Sequence, residues 1–245
     1  MLIGLFMRSG GFENKVNEMK KNVYKIWLSA LICFVMAILC SCNLFVTDKD
    51  RFYLDKDLNY TLSRIDIKKT GPDIVIPEKV GDKTVREIYL ADPYFSRIDS
   101  LDISNVKELE SFTIKLFGMN TGTKLKKLDF SKNKKLKYLE ISKTTSLKKV
   151  IFNNSCKLIY LDGTAVKKVD IRLETKLKKF VYHDGPLEEL DISNNPNLEI
   201  VEVYNTNVKV LDVSRNPKLK RIEVDEGTEI IGETNAEIIY WTKEE

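Results

Sequence analysis

Hydrophobic residues in the second half of this chain recur on a fixed schedule. The segments LDIS at 101, LDFS at 128, VIFN at 150, VDIR at 169, LDIS at 190 and LDVS at 211 are spaced by 27, 22, 19, 21 and 21 residues. Eleven residues after the start of each comes a second triplet: FTI at 112, LEI at 139, LDG at 161, FVY at 180, VEV at 201 and IEV at 222. Two ladders with one set of irregularities mean one coil of chain per period. Each coil offers six comparable positions: the residue three before the first segment, the residue eight after its start, and the first and third residues of both triplets. Of these 36 sites 35 are apolar, Gly163 being the exception. Stacked coils bury such columns as a continuous core that no single coil could bury alone. The middle residue of each triplet then points away from the core, because strand side chains alternate faces.

Turn chemistry falls between the two triplets of a coil, at Asn194-Asn195-Pro196-Asn197 and Arg215-Asn216-Pro217-Lys218. Asn133, Asn195 and Asn216 share one column, which predicts an amide ladder capping backbone groups. The 27-residue spacing places a bulge near residues 117 to 122, and Arg172-Leu173-Glu174 stands where a Ser-x-Asn turn is expected, predicting a distorted coil. Residues 227–245 leave the repeat but keep Ile230, Ile231, Ile238, Ile239, Tyr240 and Trp241, the makings of a terminal cap.

The pattern LxxLDVSxNPxLxxLxV resembles the bacterial leucine-rich repeats of internalin-like and BspA-like surface proteins over about residues 85 to 226. The preceding IVIPEKVGDKTVREI (Ile74 to Ile88) resembles the opening unit common in the BspA-like group. The resemblance implies a leucine-rich-repeat solenoid of about six to seven coils with little α-helix. It also implies that the second triplets form a parallel sheet on the inner face, where partners of such proteins commonly bind.

The amino-terminal end reads differently. Lys20, Lys21 and Lys25 precede an uncharged apolar run, Ile26 to Leu39, closing in Leu39-Cys40-Ser41-Cys42. Basic, apolar, then small residues is the order of a secretory signal, and the run is short for the ~20 residues of a spanning helix. Its ending resembles a bacterial lipobox, with Cys42 as the lipidated residue. The expected organisation is a signal peptide over 1–41 (the true start lying at Met1 or Met19), a lipidated polar tether over 42–60, an N-terminal cap and first coil over 61–98, repeats over 99–226 and a C-terminal cap over 227–245. That implies a lipid-anchored protein of the bacterial envelope, at the surface or outer membrane.

Charge and chemistry narrow the function. The chain carries +4 overall, but beyond residue 41 it holds 35 basic and 34 acidic residues, so no net basic push toward nucleic acid exists. One histidine, His183, has no nucleophile and orienting group identified beside it, and phosphate-loop, zinc and catalytic motifs are missing from the sequence. No enzyme, cofactor or metal is expected. The four cysteines lack metal-ligand or disulfide spacing. The outward positions of the second triplets instead interleave tyrosines and carboxylates: Tyr138, Glu140, Tyr160, Asp162, His183, Glu202, Tyr204 and Glu223. Such a strip suits a protein or peptide ligand of basic or amphipathic character, against the plainer reading that these positions are polar because they face water. The leading function is a protein-recognition module, adhesin-like; the alternative is a structural or assembly component of the envelope. Ten lysines between Lys124 and Lys149 spread over several faces of two coils, and are read as a solvated face with anionic glycan or membrane-surface binding as the alternative.

Overall fold

The computed structural model describes residues 45–48, 51–91, 97–116 and 124–242. The signal segment 1–41 and Cys42 lie outside the described residues. Within the unit Phe45–Glu245 the chain is a repeat solenoid. One ladder is an eleven-stranded sheet. It runs β1 (Phe45–Asp48), β2 (Phe52–Asp55), β3 (Thr61–Ile65), β7 (Glu87–Leu90), β9 (Ser111–Lys115), β11 (Tyr138–Ser142), β13 (Leu158–Asp162), β14 (Lys179–His183), β15 (Ile200–Tyr204), β17 (Arg221–Asp225) and β19 (Glu237–Trp241). From β3 onward every neighbour is parallel.

The other ladder is broken into parallel pairs: β4 (Asp73–Val75) with β8 (Ser100–Asp102), β10 (Lys127–Asp129) with β12 (Lys149–Ile151), and β16 (Val210–Asp212) with β18 (Glu229–Ile231). A hairpin, β5 (Lys79–Val80) and β6 (Lys83–Thr84), and one short helix, α1 (Ile67–Thr70), complete the first coils. Between the ladders lies one core cluster, with Phe112, Phe130, Phe180 and Tyr182 fully buried. Phe112 and Phe130 meet edge to face at 4.9 Å.

Each LDxS segment is an Asx turn. The carboxylates of Asp102, Asp129, Asp170, Asp191 and Asp212 accept the backbone N–H two residues on, at 2.8 to 3.3 Å. The aspartate thus ends the first strand by offering its backbone a local alternative to the ladder.

The asparagine column is a ladder as well, and it has more rungs than expected. Asn133, Asn153, Asn195 and Asn216 are buried, and each donates its amide to two carbonyls of the preceding coil at 2.8 to 2.9 Å, with one bond at 3.0 Å. Buried carbonyls at a turn need such donors. Counting Asn153 into this column corrects the register of its coil. Three residues, not five, separate Val150 from the asparagine, so the next strand begins earlier. The buried triplet residues are Ile159 and Leu161, and Cys156 takes the leucine position. Gly163 is therefore no exception to the apolar pattern; it lies past the strand with φ of 59°.

Two expectations about the ends change. In place of a polar tether, Phe45–Asp48 and Phe52–Asp55 are antiparallel strands on the first edge of the sheet. Phe52 and Leu54 alternate inward to cover core that the first coil would otherwise expose. At the other end, β18 and β19 continue both ladders, so residues 229–241 form a further coil. Its Ile231, Tyr240 and Trp241 remain exposed.

Candidate functional site

All eight residues expected to form a binding strip stand on β11, β13, β14, β15 and β17. The corrected register moves two of them. Tyr160 pairs with Glu140 and Val181 in the central column, while Asp162 sits one column over, opposite Ser142 and His183. The face is also drier than alternation alone suggests: Glu140, His183 and Glu223 are each less than a tenth exposed. Val181, in the same column, is fully covered yet stands outside the core cluster.

The carboxylates are satisfied from within. Glu140 takes a 2.8 Å ion pair from Lys115 and a 2.6 Å hydrogen bond from the Tyr138 hydroxyl. Glu202 is bound by Lys179 at 2.7 Å, and Glu223 by Arg221 and by the Trp241 indole N–H at 2.8 Å. Asp162 shares the Lys143 ammonium with Asp184, at 3.0 and 3.1 Å. Lys143 reaches both by arching across Gly163, where a Cβ would strike its side chain. Burial pushes the Asp162 carboxyl up despite Lys143. The same cause raises the Tyr138, Tyr160 and Tyr204 phenols, so all three are neutral donors.

The aromatic groups form one run. Tyr160 meets His183 edge to face at 5.7 Å, His183 stacks on Tyr204 at 3.8 Å, and Tyr204 stacks on Trp241 at 4.7 Å. His183, expected on the surface at its strand end, is instead wedged between tyrosines, and its Nε2 has no hydrogen-bond partner among the described residues. Burial, with Lys179 and Lys143 nearby and Asp184 opposing, depresses it to about 4, so it is a neutral ring at pH 7. Sequence reasoning missed Trp241. The available signal was EIIYW, which repeats the alternation of RIEVD sixteen residues later. No group of three or more metal-ligating side chains occurs among the described residues.

No family model and no curated protein matches the chain. Among solved structures it is similar to the functional domain of InlJ from Listeria monocytogenes, a domain that includes a cysteine ladder. The likeness has 18% identity and a TM-score of 0.35, and it covers 73% of this chain but 38% of that one.

Proposed function

We propose that this chain is a protein-recognition module, adhesin-like and held at the bacterial envelope, whose binding surface is the aromatic run Tyr160, His183, Tyr204 and Trp241. The carrying observation is the ring sequence itself, continuous over β13, β14, β15 and β19 on a parallel sheet. Rings immobilised by stacking offer area and hydrogen-bonding edges while losing little further entropy on binding. Because the carboxylates beside them already hold lysine or arginine partners, a basic ligand gains little from them. The structure therefore favours the amphipathic half of the expected partner chemistry. Replacing Tyr160 and Trp241 together by serine is expected to weaken capture of a cross-linked partner from host-matrix or envelope extracts by about 30-fold, the scale of a binding hot spot. Equal capture by the folded variant and the parent would remove this face from consideration.

Anchoring rests on Cys42. Diacylglycerol on its thiol, with a further acyl chain on the new amino terminus, would exceed the two signals that stable attachment needs. A Cys42→Ser chain is expected to leave the membrane fraction and to lose incorporation of labelled palmitate. Retention of both would refute the anchor.

A further inference from the structure

The second ladder is interrupted between β8 and β10: β8 hydrogen-bonds to β4 and β10 to β12, in separate sheets. Against this break lies a cavity of about 580 Å³ lined by Asp99, Ser100, Lys124, Lys126, Lys127 and Ser146. Its basic wall extends to the next coil. The parallel register sets Lys127 opposite Lys149, and the N–H groups of Lys148 and Lys149 both reach the Lys126 carbonyl, at 2.9 and 3.2 Å. The doublets Lys126-Lys127 and Lys148-Lys149 thus stand on adjacent rungs, about 4.8 Å apart, with all four side chains exposed.

Like charges placed opposite each other on neighbouring strands destabilise a sheet. One coil further on, the same two positions are Lys167 and Lys168, and there Glu188 and Glu189 neutralise them at 2.9 and 2.7 Å. The first two doublets have no such relief. Lys127 pairs with Asp129 on its own strand and Lys124 with Asp99, while Lys126, Lys148 and Lys149 form no ion pair among the described residues. The chain itself supplies cross-coil carboxylates to the third doublet, whereas at the cleft Asp99 and Asp129 answer only Lys124 and Lys127.

We infer that this cleft and the lysine face adjoining it bind an anionic polysaccharide, taking its sulfate or phosphate ester groups on Lys126 in the cleft and on Lys148 and Lys149 of the next coil. Charge complementarity carries the assignment, and the lining selects the class. It has no aromatic ring on which a nucleic-acid base would stack and no apolar side chain to enter a bilayer. Ammonium groups are the donors that an ester-substituted sugar chain uses.

The test uses the full chain with heparin as probe, beside Lys126→Gln/Lys148→Gln/Lys149→Gln and a control, Lys167→Gln/Lys168→Gln. Circular dichroism confirms that each is folded. Parent and control are expected to bind with an affinity that falls as salt rises, the triple variant about tenfold or more weaker with a shallower salt dependence, and heparin stripped of its O- and N-sulfates is expected to bind the parent at least tenfold more weakly than intact heparin. Equal losses in triple variant and control would overturn the site, since diffuse charge would then suffice. Tighter binding, through the same lysines, to duplex DNA or to phosphatidylserine vesicles would overturn the polysaccharide. Because these lysines lie on the opposite ladder from the aromatic run, loss of either site leaves the other measurable.

Discussion

Glu174→Ala is expected to destabilise the solenoid by about 4 kcal/mol, lowering its melting temperature by roughly 10 °C. Glu174 occupies the asparagine column, twenty-one residues from both Asn153 and Asn195, and is fully buried. Its role there is inverted. Asparagines in the column donate to carbonyls of the preceding coil, whereas the Glu174 carboxylate accepts, from the N–H groups of Asn154 at 2.5 Å and Cys156 at 2.8 Å. The cause lies one coil earlier. With two turn residues missing between Val150 and Asn153, the chain turns through Asn154 at a φ of 69° and aims N–H groups, not carbonyls, at the next coil. An acceptor is needed where other coils need a donor, and bonds to a charged acceptor contribute about 1.5–3 kcal/mol each.

Two substitutions separate this account from a simple loss of packing. Glutamine keeps one acceptor oxygen and relieves the burial that raises the Glu174 carboxyl, so it should fall between parent and alanine. Asparagine, the column's own consensus, is too short to reach both N–H groups and should cost about 2 kcal/mol. Urea unfolding of the three variants decides the matter. An asparagine variant as stable as the parent would show that coil length does not dictate the donor's direction.

Glu174 also marks where reading the sequence stops working. Apolar columns are legible because burial demands them in every coil, so the solenoid, its two ladders and the face carrying the tyrosines all follow from spacing. Register at 150–163 was not legible. LDG at 161 keeps the eleven-residue offset of the other second triplets, and only the asparagine ladder, visible once Asn153 is placed, shows that Ile159 and Leu161 are the buried pair. Charge was misread for a related reason. Glu140, Glu202 and Glu223 look like a free acidic strip when each coil is read alone, but Lys115 pairs across coils to Glu140 and Lys179 to Glu202. Such pairing depends on register and side-chain reach, which a linear pattern does not contain. The end strands escaped because FYL precedes the first repeat and EIIYW follows RIEVD by sixteen residues rather than by the repeat's spacing of about twenty-one.

Between pH 6.5 and about 4 the protein should lose roughly 3 kcal/mol of stability through His183 alone. Above pH 6.5 the imidazole is neutral in both folded and unfolded chains, and its contribution is complete. As pH falls through 6.5 the unfolded chain takes up a proton. The folded chain refuses it until about pH 4, because the ring is buried between Tyr160 and Tyr204, an effect that Asp184 opposes and the Lys179 and Lys143 charges reinforce. Glu202 lies at the edge of ion-pair reach, its Oε2 3.9 Å from Nε2. Below about pH 4 both states are protonated and this contribution stops changing. His183→Phe preserves a ring between the tyrosines and removes the titration, so the readout is the difference in slope between the two stability-versus-pH curves, whatever their offset. Parallel curves across this window would mean that His183 protonates freely in the folded state, and that the ring stack opens at no cost.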